Sequence, residues 1–222
     1  MKQRRSKAWW WAATIPALAT MIAASSSIMV HAYRPLAVSS VVNAHRNESA
    51  TFDFEYNADE EHYHRAATVK LISLTPIERS EFSESFKTTV ESEFPFPELV
   101  EQTEVLKANV SWEADPEIPL DGCHVSLRDA DGLEQNNLLS VSPLDGPKDS
   151  LISVPDKCEP MGAFGPIAIN PFDLDSNIIP EPSPRPREWE MAYHFLVTPG
   201  FKPTELVITW DGPHEVRLFT EA

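Results

Sequence analysis

The sequence predicts an all-β chain, an antiparallel immunoglobulin-like β-sandwich preceded by one N-terminal transmembrane helix. Three observations predict it. Apolar residues recur with a period of two along most of the chain after residue 50, four of the seven glycines follow an aspartate, and residues 8–30 form an uncharged run. A period of two is the signature of a strand with one face in a core, and Asp-Gly is the chemistry of a tight reversal.

Taken in order, residues 1–7 hold Lys2, Arg4, Arg5 and Lys7 and read as a basic cytoplasmic tail. Ala8–Val30 spans 23 uncharged residues. At about 1.5 Å each they reach about 35 Å, enough for a hydrocarbon layer of about 30 Å. Trp9, Trp10 and Trp11 stand at its inner edge, where amphipathic rings favour the membrane interface. The cations hold the N-terminus in the cytoplasm, so the membrane is crossed once and residues 31–222 are extracytoplasmic. A cleaved signal peptide competes with this signal-anchor, because Val30-His31-Ala32 has small residues where a signal peptidase reads. Cleavage after Ala32 would give a secreted protein. Length and the three tryptophans favour the anchor, while Thr14, Pro16, Thr20 and Ser25 to Ser27 dilute it.

Beyond the anchor come the strands. "TFDFEY" alternates Phe52, Phe54 and Tyr56 with Asp53 and Glu55, and "TVKLISL" puts Val69 and Leu71 on one face. "LKANVSW" offers Leu106, Ala108, Val110 and Trp112, and "CHVSLRD" offers Cys123, Val125 and Leu127. "MAYHFLV" and "LVITW" repeat the pattern near the C-terminus, followed by "VRLFT". "PLDGCHVSLRDADG" reads as turn, strand, turn, and "ITWDGPHEVRL" as a hairpin or close reversal.

Two stretches depart from the rhythm. "TPIERSEFSESFKTTVESEF" opens with Thr75, Pro76 and Glu78 in a capping-box spacing, and Phe82, Phe86, Val90 and Phe94 then recur every four, so a short amphipathic helix competes there with an acidic loop. Residues 155–187 are proline-rich and end in "IIPEPSPRPREW", which favours an extended polyproline path. Neither an internal repeat nor a second domain is visible.

Charge and cysteine content bound the chemistry. After residue 32 there are 14 Lys or Arg against 34 Asp or Glu, a formal charge of −20. So negative a domain is repelled by phosphate backbones and is not expected to bind nucleic acid. Export makes the two cysteines a pair: Cys123 and Cys158 are expected to form one disulfide. No tryptophan lies between them, unlike the antibody pattern.

The candidate sites are few, and each has a plain alternative. Asp129, Asp131 and Gly132 resemble part of a calcium loop without its third acidic position or distant glutamate, and a turn needs only Asp131-Gly132. His62 and His64 share one side of any strand, with Asp59, Glu60 and Glu61 just upstream. They could serve a metal-dependent hydrolase or a metal-binding protein, or simply end a polar hairpin. No nucleophile elbow, zinc-protease motif or phosphate loop occurs, so no catalytic, cofactor-binding or metal-ligating residue is assigned. Asn47 and Asn109 begin glycosylation triplets, the second inside a predicted strand.

"SWEADP", "LDGC", "LRDADG", "CEPMGAFGP" and "PGFKPTELVITWDGP" resemble segments of membrane-anchored exported proteins of actinobacteria of the corynebacterial type. The resemblance covers Trp112 to Leu218 and implies an anchor and a disulfide-linked extracytoplasmic domain. It supplies no activity. The expected role is a binding or accessory module of the cell envelope, with another envelope protein as partner. A carbohydrate-binding module is a further alternative, and it requires Trp189 or Tyr193 to face solvent.

Overall fold

A computed structural model of the chain describes residues 38, 40–58, 61–78, 103–143, 158–160, 162–163, 165–166, 184–210 and 214–220. The expected transmembrane run and about two thirds of the proline-rich stretch lie outside these residues. Among the described residues no helix is long and apolar enough to cross a membrane.

Among the described residues nine strands form: β1 (Ser40–Ala44), β2 (Ala50–Ala58), β3 (Glu61–Ile77), β4 (Glu104–Glu113), β5 (Cys123–Asp129), β6 (Glu134–Val141), β7 (Glu188–Val197), β8 (Pro203–Trp210) and β9 (His214–Phe219). The described residues are all-β, as their alternation predicts. The strands make one sheet in the order β1-β9-β8-β5-β6-β7-β4-β3-β2. The sheet curls until it is nearly a barrel. The hinge is β6, whose first residues pair with β5 and whose later ones pair with β7. One departure from antiparallel pairing is β1, which lies parallel to β9. The turn after β1 explains it: the chain crosses from one end of the sheet order directly to the other, closed by Glu48 N–H donating to His45 O at 2.9 Å and by Asn47 at φ 69°.

Alternation decides what is buried. β4 sends Leu106, Ala108, Val110 and Trp112 inward, β7 sends Trp189, Met191, Tyr193, Phe195 and Val197, and β8 sends Leu206, Ile208 and Trp210. Each such side chain removed from water contributes roughly 1.5–3 kcal/mol before entropy is counted. The two ends of the sheet meet through aromatic contact. Phe52 of β2 lies 5.2 Å from Trp210 of β8, and Phe54 stacks on His214 of β9 at 4.4 Å and 4°.

Turn chemistry falls where the glycines placed it. Gly122 (φ 71°) precedes β5 and Gly132 (φ 84°) follows it. Thr75, Pro76 and Ile77 do not start a helix. They end β3, opposite Lys107, Leu106 and Val105 of β4. The sheet ladder outcompetes the capping box there, and β2 pairs with β3 only up to Val69, so Pro76 sits at an edge position that tolerates its missing N–H. Residues 79–102, the body of the expected helix, lie outside the described residues.

Candidate functional site

The outer face of β2, β3, β4 and β7 is an open polar surface. Asp53 and Glu55 on β2, His62 and His64 on β3, Glu113 on β4, and Glu188 and Glu190 on β7 are all exposed. The pairing brings some of them together. Lys70, Ser111 and Glu190 form one cross-strand row; Thr68, Glu113 and Glu188 form the next. Glu113 and Glu188 are direct register partners, an arrangement that costs stability because like charges sit opposite each other. Among the described residues neither carboxylate has an ion-pair partner.

His62 and His64 lie on this face as predicted, opposite Asn57 and Glu55. His64 Nδ1 is 3.4 Å from Asp53 Oδ1, and both side chains are largely exposed. The upstream Asp59 and Glu60 lie outside the described residues. Among those that are described, no three His, Cys, Asp or Glu gather into a metal-holding group. The calcium-loop resemblance resolves into turn geometry: Asp129 Oδ1 accepts from the N–H groups of Asp131 (3.0 Å) and Leu133 (2.9 Å), which closes the β5–β6 hairpin. Asn109 is engaged inside the sheet, donating to Ser73 Oγ at 2.7 Å, whereas Asn47 is exposed in its turn.

A second constellation is buried. Cys123, the first residue of β5, is bridged to Cys158, the pairing the sequence led us to expect, with both residues almost wholly enclosed. Next to Cys158, Glu159 meets the Arg185 guanidinium in a buried ion pair, the arginine side chain being 0% exposed. Arg185 also donates to Asp115 O (2.8 Å) and Ile118 O (2.6 Å), and its guanidinium lies over the Trp189 ring at 4.8 Å. The Trp189 indole N–H donates to Cys158 O at 2.8 Å. Burial pushes the Glu159 carboxyl up, to about 8, against the pull of Arg185, and it lowers Arg185 in turn. Such a pair adds little net stability, because desolving both charges offsets their attraction.

A third group lies on the outer side of β5, β8 and β9. Arg128 bonds Glu134, Glu205 and Glu215, and Arg217 pairs with Glu205 and Glu215. The two guanidinium groups hold the Glu215 carboxyl below its usual range despite burial. The lattice is internally satisfied and ties four strands, β5, β6, β8 and β9, together.

Sequence reasoning did not single out Arg185, Glu159, Arg128 or the Glu113–Glu188 pair. "PSPRPRE" gives no sign that Arg185 points inward while Pro184 and Pro186 face out. The requirement for a carbohydrate platform is not met: Trp189 is 4% exposed and Tyr193 0%. Burial also pushes the Tyr193 hydroxyl far above its usual range. Both rings are core, and Trp189 stacks on Trp112 with the ring centroids 6.0 Å apart. No family model, curated protein or solved structure matches this chain.

Proposed function

We propose that this chain is a single-pass membrane protein that holds an acidic immunoglobulin-like domain outside the cell and uses it as a docking module for a cationic envelope protein. The strand path supports the fold in this reading. Taken in chain order as A to G, β3 to β9 place A, B, E and D consecutively and C, F and G consecutively, which is the immunoglobulin constant-type grouping. β6, in the place of strand D, additionally pairs with C and so joins the two groups. The uncharged run Ala8–Val30 supports the anchor, and the bridge between Cys123 and Cys158 supports an oxidising location.

The observation that carries docking is the Glu113–Glu188 pair. Two exposed carboxylates held side by side by strand register, with Glu190 two residues further along β7, present negative charge on a rigid frame. A partner bringing Lys or Arg to that row would relieve the repulsion and gain electrostatic steering. Crosslinking in native cells followed by pull-down from detergent extract tests this. A reproducible partner is expected, lost with Glu113→Lys/Glu188→Lys and weakened by added salt. Recovery of no partner, or of one indifferent to the double reversal, rejects the reading.

A further inference from the structure

Three of the four groups that hold Arg185 do not depend on Cys158: Asp115 O and Ile118 O belong to the β4–β5 connection, and the Trp189 ring belongs to β7. The guanidinium is therefore positioned by the sheet itself. Glu159 is different, because it reaches Arg185 from the short stretch that Cys158 cross-links to the start of β5, where its carboxylate also accepts a hydrogen bond from the Leu120 backbone. Gly165 also approaches from this stretch. A Cβ there would lie 3.3 Å from Arg185 Nη1 and from Pro116 O.

We propose that this is a redox-gated clasp: closing the Cys123–Cys158 bridge is what seats Glu159 on the preformed Arg185. A buried ion pair contributes little toward ordering a segment, since desolvation cancels most of its attraction. The bridge supplies what the pair does not, by removing the freedom of a loop with sequence separation 35. Closure is a two-electron oxidation. The Cys123 and Cys158 thiols give up two protons and two electrons to an external disulfide, which leaves as a dithiol while the new S–S bond forms. The clasp rests on the export reading only for where closure occurs in the cell. The test is done on purified protein, so its failure and the failure of that reading are separate results.

Two buried indoles make the experiment selective. The Trp189 N–H bonds Cys158 O and reports the clasp, whereas the Trp210 N–H bonds Leu120 O at 3.3 Å and reports the β4–β5 connection that holds Arg185 in place. Full-length protein in detergent micelles would be compared oxidised and reduced by following hydrogen exchange of both indole protons by NMR. In the reduced protein the Trp189 proton should exchange roughly several hundredfold faster, with Trp210 unchanged. In oxidised Glu159→Gln the Trp189 proton should stay within about tenfold of wild type, because the bridge remains. Unchanged Trp189 exchange on reduction overturns the clasp, since the segment then seats itself. Equal acceleration of both protons also overturns it, because the bridge is then a staple of the whole fold. So does a Glu159→Gln effect as large as reduction.

Discussion

His194 should make the domain acid-sensitive. It lies on β7, facing away from the main core, in register with Lys107 of β4 and Leu139 of β6. Burial is the largest influence on its imidazole and lowers it; a hydrogen bond with the Leu139 backbone opposes this, and the Lys107 charge adds to it, leaving a value of about 4. In the unfolded chain an ordinary histidine titrates near 6.5. Between these values the unfolded chain binds more protons than the native one, so stability is lost as pH falls from 6.5 toward 4. About 2.5 units at about 1.4 kcal/mol each, with the native imidazole half-protonated at pH 4, gives a loss of about 3 kcal/mol. For a domain of this size that is a fall in Tm of roughly 6–12 °C. Urea denaturation of wild type and His194→Leu at pH 7 and pH 4 measures it. The variant's own stability is not the readout; the difference between its two values is, and it should be smaller than the wild-type difference by about 3 kcal/mol. Parallel pH profiles would refute the reasoning. His214 is lowered too, by burial first and by Arg65 second, so some acid sensitivity should survive in the variant.

Three further outcomes follow from the packing. Arg185→Met should cost about 3–5 kcal/mol by stranding Glu159, and Arg185→Met/Glu159→Leu should recover most of it in urea denaturation; equal losses would mean the two are not coupled. Gly165→Ala should cost about 1–2 kcal/mol, since φ is +77° and Arg185 Nη1 and Pro116 O crowd the added carbon, and an unchanged Tm would remove that strain from the account. Phe54→Ala should cost about 3–5 kcal/mol and loosen β2 first, because the ring bridges β2 to Trp210 and His214; hydrogen exchange confined elsewhere would contradict it.

The strands with clean alternation were legible in the sequence because each carries its own record of which side is buried. β2, β4, β5, β7 and β8 all fall where Phe52, Val110, Val125, Tyr193 and Ile208 put them. β1 and β6 were not legible, and the reason is physical. "SVVNA" is a five-residue edge strand, and "EQNNLLSV" changes partner midway with a break in register between Asn137 and Leu139, so neither shows one face to one core. Thr75-Pro76 misled for a related reason. A capping box gains its energy from local hydrogen bonds, and the ladder to Lys107 and Val105 satisfies the same groups with tertiary packing added.

The candidate site was illegible for a deeper reason, which is that charge meets charge only through register. Glu113 and Glu188 are separated by a long stretch of chain, and no local pattern announces that β4 and β7 will lay them side by side. Had the β4–β7 register slipped by one residue, Glu113 would face a different neighbour and one of Trp112 and Trp189 would leave the core. The stacking of those two buried rings at 6.0 Å and 8° therefore fixes the carboxylate pair one position outward from it. The repulsion on the surface is enforced by packing inside, so it persists whether or not a cation arrives to relieve it.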